Sequence, residues 1–418
     1  MNDALYRQRR AAQFAEPGTR DAAGRLRVSQ PFGLFESKHL TSKDAGSWDE
    51  LLVGTASITY QYDRSSVFLT VGTDPGDRAV RQTFRYLPYV AGKGQLIQVT
   101  ELFGSLKANV NRYAGYGDDL NGFFFATIGL QFGIVYRTAT SGTAVDKFIP
   151  SSQWNVDTFD GNGESGLSVD LTKLQLCSID FLWQGVGATR FFLRIGTADY
   201  LVHIEDHANV IDVAYIKTPS LPVRYEIVNT GVTESSTTLE QICSSVSSEG
   251  GYALPGLEFS APPISAAADR AITTLTPILA IRLKTAFPAG KPNRRTIRFL
   301  DISVNSRTNE AWFELAHVHA PATMTATWAD AHASSAVEYS VDISALTADM
   351  IHPIQEEYAQ VGAGQAGSGG TISSEFLNAH SFLSQNMASD NSQIFVVYAK
   401  PRTGTANVWA HISWVESE

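Results

Sequence analysis

Apolar and polar residues alternate in short runs along the chain, and this period-two pattern constrains the fold more than any other feature. Residues 322–328, 337–341 and 408–414 each place apolar side chains at every second position. Side chains two residues apart share one face of a strand, so each run indicates a strand with one buried face. Turn clusters such as 72–76 and 113–119 separate the runs. The predicted fold is mainly β, with two antiparallel β-sandwich or jelly-roll-like bodies and an extended N-terminal arm.

Composition changes divide the chain into four segments. We expect a basic docking arm at 1–30, a first β-sandwich body at 31–231, a Ser-, Thr- and Gly-rich linker at 232–256 and a second β-sandwich body at 257–418. One part of the linker is ambiguous, because Leu239, Ile242, Cys243 and Val246 have helical spacing while Ser and Thr crowd the same segment. A short helix and an irregular strand are both compatible with that pattern.

The arm differs from the rest of the chain in charge. Residues 1–30 hold six arginines and three acidic residues, so the arm carries +3 and the remainder −13 of the overall −10. A short basic segment before an acidic body is typical of an arm that becomes ordered against a partner, although a frayed terminus has the same composition. The arginines predicted to dock on the partner are Arg7, Arg9, Arg10, Arg25 and Arg27.

Overall composition excludes several classes of protein. With 18% charged and 44% hydrophobic residues, the chain is not a disordered protein. It contains no apolar run long enough for a membrane span and no apolar core of a secretory signal, so we expect no membrane insertion and assembly in the cytoplasm. A net charge of −10 argues against nucleic-acid binding. Cys177 and Cys243, the only cysteines, are expected to be buried thiols.

One segment has the spacing of a calcium-binding loop. Asp160, Asn162 and Glu164 place oxygen ligands at alternate positions, and Asp157 could add a fourth. The remaining ligands of a full calcium loop are missing, and Asx-Gly sequences are also common in plain turns. Calcium is therefore the one cofactor that the sequence suggests, and a turn without metal is the alternative.

No catalytic apparatus is recognisable in the sequence, which predicts a protein that is not an enzyme. Acidic pairs such as Asp118–Asp119 are adjacent, whereas glycosidases need two carboxyl groups facing each other across about 5–10 Å. Aromatic residues beside acidic ones suit stacking on sugars or protein interfaces. The predicted surface-recognition residues, for a glycan or protein of a host surface, are Tyr113, Tyr116, Asp118, Asp119 and Trp154.

Several segments resemble a family of virion structural proteins of tailed bacteriophages, especially marine ones. The resemblance covers most of residues 29–418. It rests on 29–35 (SQPFGLF), 112–125 (RYAGYGDDLNGFFF), 153–173 (QWNVDTFDGNGESGLSVDLTK), 179–193 (IDFLWQGVGATRFFL), 218–231 (TPSLPVRYEIVNTG), 241–252 (QICSSVSSEGGY), 277–284 (PILAIRLK) and 412–416 (ISWVE). It implies a location in the virion and contacts with other virion proteins.

Together these features predict a non-enzymatic virion structural protein. It would be a head decoration or fibre, or a tail or collar fibre, that docks by its arm and contacts the host surface. The low charge suggests a surface that meets other subunits, so we expect a homo-oligomer, with a trimer favoured. The alternative is a carbohydrate-binding or glycan-degrading module of a tail appendage.

Overall fold

The computed structural model describes residues 30–250, 256–266, 269–348, 351–359, 368–372 and 383–417. The predicted docking residues Arg7, Arg9, Arg10, Arg25 and Arg27 lie outside the described residues. The chain divides into two compact units: Met1–Thr83 with Leu87–Ala253, and Phe84–Tyr86 with Leu254–Glu418. Strands make up most of the described residues and every described pairing is antiparallel, which confirms the mainly β fold with sandwich-like bodies. No helix in this described part has the length and apolar character that a bilayer crossing requires.

The first unit is built from two large antiparallel sheets. Its strands are β1 Pro31–Lys38, β2 Trp48–Val53, β3 Ser57–Gln61, β4 Ser66–Val71, β5 Arg78–Thr83, β6 Gln95–Leu102, β7 Val110–Gly117, β8 Gly122–Ile128, β9 Gln131–Thr138, β10 Val145–Pro150, β11 Gln175–Phe181, β12 Thr189–Ile195, β13 Ala198–Glu205, β14 Val223–Asn229 and β15 Thr237–Glu249. The eight-stranded sheet has the order β13-β12-β11-β6-β15-β4-β3, with β1 also paired to β15. The seven-stranded sheet has the order β10-β9-β8-β7-β14-β5-β2. Short 3-10 turns lie at Tyr62–Arg64 and Ser151–Gln153.

Strand β8 illustrates how alternation determines the faces of the seven-stranded sheet. Phe123 and Phe125 point into the main core between the two sheets, while Phe124 joins a smaller apolar cluster with Tyr113 and Val135. Successive side chains of a strand point to opposite faces, so that smaller cluster lies on the outer face of the sheet. The outer face therefore has its own packed side chains, which help to position the polar residues described below.

The segment predicted as a linker differs from the structure between Thr237 and Glu249. There the chain forms β15, the central strand to which β1, β4 and β6 pair. Leu239 and Val246 are fully buried, and an irregularity between Gln241 and Ser244 shifts the register by one residue. The irregular strand, rather than the short helix, is the observed alternative. Ser and Thr mark turns in sequence, but here they alternate with buried residues along a strand.

The second unit also consists of antiparallel sheets. Its strands are β16 Leu257–Ala261, β17 Arg270–Ile272, β18 Thr276–Leu283, β19 Thr296–Ser306, β20 Ala311–Val318, β21 Ala322–Ala326, β22 Ala329–Asp330, β23 Val337–Ser340, β24 Ile343–Ala348, β25 Ile351–Ala359, β26 Ser368–Ile372, β27 Ile394–Pro401 and β28 Ala406–Ser417, with a 3-10 turn at Ile264–Ala266. A five-stranded sheet (β16-β28-β19-β26, with β17 on β28) and a six-stranded sheet (β22-β23-β18-β27-β20-β25) supply the main core, and β21 pairs with β24. The predicted buried face of 408–414 is confirmed, since Val408, Ile412 and Trp414 are all core residues.

The buried His39, which directly follows β1, contacts residues of both sheets in the first unit. Arg81 Nη1 lies 2.9 Å from His39 Nε2 and 2.6 Å from the Gln241 side-chain oxygen, and His39 Nδ1 contacts the Ile242 carbonyl. Arginine can only donate hydrogen bonds, so Nε2 must accept and the imidazole must be neutral, with its proton on Nδ1. Burial, together with Arg81, lowers the pKa of His39.

We therefore expect His39 to contribute a loss of stability to the first unit on acidification. The folded pKa lies below the unfolded value of about 6.5, so the stabilisation is complete above that pH and is lost as pH falls below it. Chemical denaturation at pH 7.5 and 5 should show the unfolding free energy of the wild type decreasing relative to that of His39→Asn. Asp44 and Glu50 also face this group and are present in both proteins, so their effect is common to the two measurements. Equal changes in both proteins would contradict the assignment.

Candidate functional site

A cluster of charged side chains lies on the outer face of the seven-stranded sheet. On β14, Tyr225 and Ile227 point into the main core, so Arg224 and Glu226 between them point outward. We use the name charged cluster for three arginines and three carboxylates that meet there from β5, the β7–β8 turn, β9, β10 and β14: Arg78, Arg137, Arg224, Asp119, Asp146 and Glu226.

Glu226 is at the centre of the charged cluster. Its side chain is only 5% exposed, and its carboxylate lies 2.6 Å from Arg78 Nε and 2.8 Å from Arg224 Nη2. Arg224 is 1% exposed, and its Nη1 donates to the Gln82 side-chain oxygen at 2.8 Å. Ion pairs removed from water in this way are fixed in position, since each charged group needs its partners to remain buried.

Asp119 is the most exposed member of the cluster, with a side chain 54% exposed, compared with 34% for Asp146 and 28% for Arg78. Its Oδ1 accepts from Arg224 Nη2 at 2.7 Å and from Arg78 Nη2 at 3.0 Å. The tight β7–β8 turn presents it: Asp118 Oδ1 accepts the Leu120 and Asn121 amides at 2.8 and 2.9 Å. Gly117 is needed beside this turn, because a Cβ there would lie 2.6 Å from the Asn121 carbonyl oxygen.

Arg137 connects the predicted residues Tyr113 and Asp118 to the cluster. It binds Asp146 through two parallel bonds of 2.7 and 2.9 Å and donates to the Asp118 carbonyl at 3.0 Å. Its guanidinium carbon lies 5.6 Å from the centre of the Tyr113 ring, within the range of a cation–π contact. Burial, reinforced by the Glu226 charge, raises the pKa of Tyr113 to about 12.

The electrostatics favour an ionised, charge-balanced site. Burial alone would raise the pKa of Glu226 and of Asp119, but the guanidinium groups of Arg224 and Arg78 outweigh burial and hold both values below the usual range. Both carboxylates are therefore unprotonated at neutral pH, and the three arginines balance the three acids. The site can donate and accept many hydrogen bonds at once, with Asp119 as the accessible acceptor.

Two of the predicted surface-recognition residues belong to the core, so that part of the prediction is wrong. Tyr116 is fully buried, and its hydroxyl donates to the Leu87 carbonyl at 3.0 Å. Trp154 packs edge-on against Phe132, with ring centres 5.5 Å apart. Tyr113 and Asp118 are buried as well, and of the five only Asp119 is well exposed. Alternation explains the difference, because Tyr113 and Tyr116 lie three residues apart on β7 and must face opposite sides.

Sequence reasoning missed Arg78, Gln82, Arg137, Asp146, Arg224 and Glu226. A signal existed in 223–228 (VRYEIV), where Arg224 and Glu226 alternate with apolar residues in a strand-like pattern. Two opposite charges two residues apart share one strand face, which predicts a polar outer face. The partners from β5, β9 and β10 carried no comparable signal.

The predicted calcium ligands form a turn stabilised by its own hydrogen bonds. Asp157 accepts the Phe159 amide at 2.9 Å and the Ser165 amide at 2.7 Å, and Asp160 Oδ1 accepts the Asn162 amide at 2.9 Å. Backbone amides of the loop itself thus bind the carboxylates of Asp157 and Asp160. Glu164 does not form a group of metal ligands with them. Within the described ranges, no set of three or more His, Cys, Asp or Glu side chains is arranged to hold a metal.

Comparison with known proteins gives structural likenesses only. No protein-family description and no curated protein matches the chain. An endo-β-1,4-glucuronan lyase from the fungus Trichoderma reesei aligns at 11% identity over 53% of this chain and 97% of its own, with a TM-score of 0.33. A glycosyl hydrolase family 16 protein from Mycobacterium smegmatis aligns at 10% identity over 51% of this chain and 100% of its own, with a TM-score of 0.35.

A glycoside hydrolase family 16 endo-glucanase from Bacteroides ovatus aligns at 9% identity over 51% of this chain and 99% of its own, with a TM-score of 0.33. These proteins are enzymes, so the prediction that the present chain is not an enzyme is withdrawn. At such low identities and TM-scores, the likenesses assign no residue role, substrate or activity to this chain.

Proposed function

We propose that the chain is a glycan-recognising surface component of a bacteriophage particle, and that the charged cluster is its glycan site. The observation that carries the proposal is the half-exposed Asp119 carboxylate, held by Arg78 and Arg224 above the buried Glu226. Neighbouring sugar hydroxyls both donate and accept hydrogen bonds, which suits carboxylates and guanidinium groups fixed side by side. A few convergent polar groups on a rigid scaffold are typical of small-molecule sites.

The location in the particle is proposed from the sequence. The resemblance to virion structural proteins and the basic arm at 1–30 support docking on other virion proteins through Arg7, Arg9, Arg10, Arg25 and Arg27. A homo-oligomer, with a trimer favoured, would then present several glycan sites together and raise the overall affinity for a polymer. Head, collar and tail positions are all compatible with this arrangement.

Retention on immobilised host polysaccharide tests the glycan site directly. We expect Asp119→Asn to weaken retention at least about tenfold, because one accepting oxygen becomes an amide donor and the negative charge that balances the arginines is lost. The matched control is Asp199→Asn, which removes a carboxylate paired with Arg194 in the other sheet. Retention lost with Asp119→Asn and kept with Asp199→Asn supports the site. Equal retention of both variants, or no retention of the wild type, contradicts it.

Measuring reducing ends in the same incubations extends the test to catalysis. Release of reducing ends that disappears with Asp119→Asn would show that the charged cluster acts on the bound glycan. Release that persists unchanged in this variant would mean that the glycan-active site lies elsewhere, and the proposed site would be wrong.

Deleting residues 1–30 tests the proposed docking. We expect the shortened protein to be absent from particles produced with it as the only copy, while its melting temperature stays within a few degrees of the wild type. Normal incorporation of the shortened protein, measured by mass spectrometry of purified particles, would contradict a docking role of the arm.

A further inference from the structure

Strand β2 carries a short exposed apolar segment at one edge of the first unit. It is the last strand of the seven-stranded sheet and pairs, among the described residues, with β5 alone. Its residues Leu51, Leu52 and Val53 are 38%, 48% and 44% exposed, and we use the name open edge for 51–53. Exposed apolar edge strands are templates for pairing with another chain, so this segment is a candidate interface. No residue of the charged cluster enters the argument, so the inference does not rest on the proposed function.

The pairing of the neighbouring strands determines which backbone groups of β2 face outward, because alternate residues of a strand direct their N–H and C=O to the same neighbour. The Asn229 amide donates to the Asp77 carbonyl at 2.9 Å, in the register of the β14–β5 pair, so odd-numbered residues there bond to β14. Even-numbered residues of β5 then bond to β2, and the register pairs them with odd-numbered residues of β2. Leu52 therefore directs its N–H and C=O away from the sheet. The Glu50 amide agrees with this alternation, because it donates to the Asp49 side chain at 3.0 Å.

The other edge strands of the two sheets are less suited to pairing with another chain. The segment before β11 covers β13, where the Val156 amide donates to the Val202 carbonyl at 3.2 Å. Strand β10 contains Lys147 and ends at Pro150, β3 exposes polar side chains, and a register shift interrupts β1. Charged side chains, proline, bulges and covering segments all limit pairing at an edge. The backbone groups of Leu52, by contrast, have no hydrogen-bond partner in the part of the chain that the structure describes.

The open edge is complementary to a second copy of itself. In an antiparallel pair centred on Leu52, the two Leu52 residues exchange both of their N–H···O=C bonds, and each aliphatic side chain of the open edge faces an aliphatic side chain of the other copy. The same register places Glu50 opposite Gly54, so no like charges are opposed. Glu50 is also paired with Lys43 of its own chain at 2.7 Å. Backbone, apolar surface and charge therefore all match when the partner is the same chain, related by a two-fold axis.

We propose that two copies of the chain associate through the open edge, so that their seven-stranded sheets join across a two-fold axis into one continuous sheet. The open edge is short, and interfaces smaller than about 1,200 Å² are typical of weak complexes. We therefore expect a dissociation constant on the order of 0.1 mM. A two-fold contact of this kind produces dimers, so the trimer expected from composition would need a separate interface.

Cysteine cross-linking of the full chain tests the proposed register. The background is Cys243→Ser, since Cys243 is the less buried of the two native cysteines. In the proposed pair, Leu52→Cys lies opposite its own copy with the two Cα atoms about 5.5 Å apart, a distance that a disulfide spans. We expect this variant to form a disulfide-linked dimer at least about tenfold faster than Val145→Cys, because pairing raises the local thiol concentration. Val145 is the matched control, as a 53% exposed aliphatic residue of the edge strand β10.

Sedimentation equilibrium of the chain without introduced cysteines measures the association itself. Leu52→Lys should weaken dimerisation at least about tenfold, because two like charges would meet at the two-fold axis, whereas Val145→Lys should leave it unchanged. A wild type that remains monomeric at about 1 mM would overturn the proposal, as would equal cross-linking rates of the two cysteine variants. A full chain that stays monomeric while the chain lacking residues 1–30 dimerises would mean that the arm occupies the open edge, which would also overturn it.

Discussion

Replacing Glu226 with glutamine should lower the free energy of unfolding by about 3–5 kcal/mol, the usual cost of removing one member of a buried ion pair. The variant leaves Arg224, 1% exposed, without its main counter-charge and deprives Arg78 of its 2.6 Å partner. Urea denaturation followed by circular dichroism would measure the loss. Because Glu226 also supports the two arginines that hold Asp119, retention on polysaccharide should fall with it.

Glu36→Gln provides the matched control. Glu36 pairs at 3.2 Å with Lys38, both side chains are more than half exposed, and pairs that solvent reaches contribute less than about 1 kcal/mol. Replacing Arg224 and Glu226 together with leucine should recover much of the lost stability, since no unpaired charge then remains buried at that position. A Glu226→Gln variant no less stable than Glu36→Gln would contradict the buried network.

The local pattern of the sequence was sufficient to predict the strands and the fold class. Alternation is a property of neighbouring residues, so runs such as 408–414 indicate a half-buried strand wherever it pairs. The same alternation places Tyr113 and Tyr116, which are three residues apart on β7, on opposite faces of the sheet. Most of the predicted surface-recognition residues were neighbours in sequence, so they included both an outer-face residue, Tyr113, and a core residue, Tyr116.

The charged cluster could not be predicted in the same way, because it depends on which strands become neighbours. Arg78 and Glu226 are 148 residues apart and meet only because β14 pairs with β5 in one particular register. Shifting that register by one residue would turn every side chain of one strand to the other face. No feature of a single sequence specified this pairing, so only Asp119, at the tip of a recognisable turn, could be proposed in advance.

The predicted linker failed for a related reason. Ser and Thr are frequent in turns, where their side chains bond to nearby backbone, but Thr is also favoured in strands. In β15 the buried positions are held by contacts with β1, β4 and β6, so sheet pairing decided between the two outcomes. Composition over 232–256 could not include those contacts.

Glu101 should make the first unit less stable as pH rises, in the direction opposite to His39. Its carboxyl is fully buried on β6, and burial raises its pKa to about 8, although the neighbouring Cys177 offsets part of the shift. The folded chain keeps this proton while the unfolded chain, with a pKa near 4.5, releases it, so the stability that Glu101 contributes is greatest below about pH 4.5 and falls until about pH 8. A shift of this size corresponds to roughly 3–5 kcal/mol. Glu101→Gln, which copies the neutral carboxyl, should therefore gain stability relative to the wild type as pH increases from 5 to 8, whereas Glu36→Gln should not. Urea denaturation at several pH values measures the difference, and parallel pH profiles of wild type and Glu101→Gln would mean that the carboxyl is ionised inside the fold.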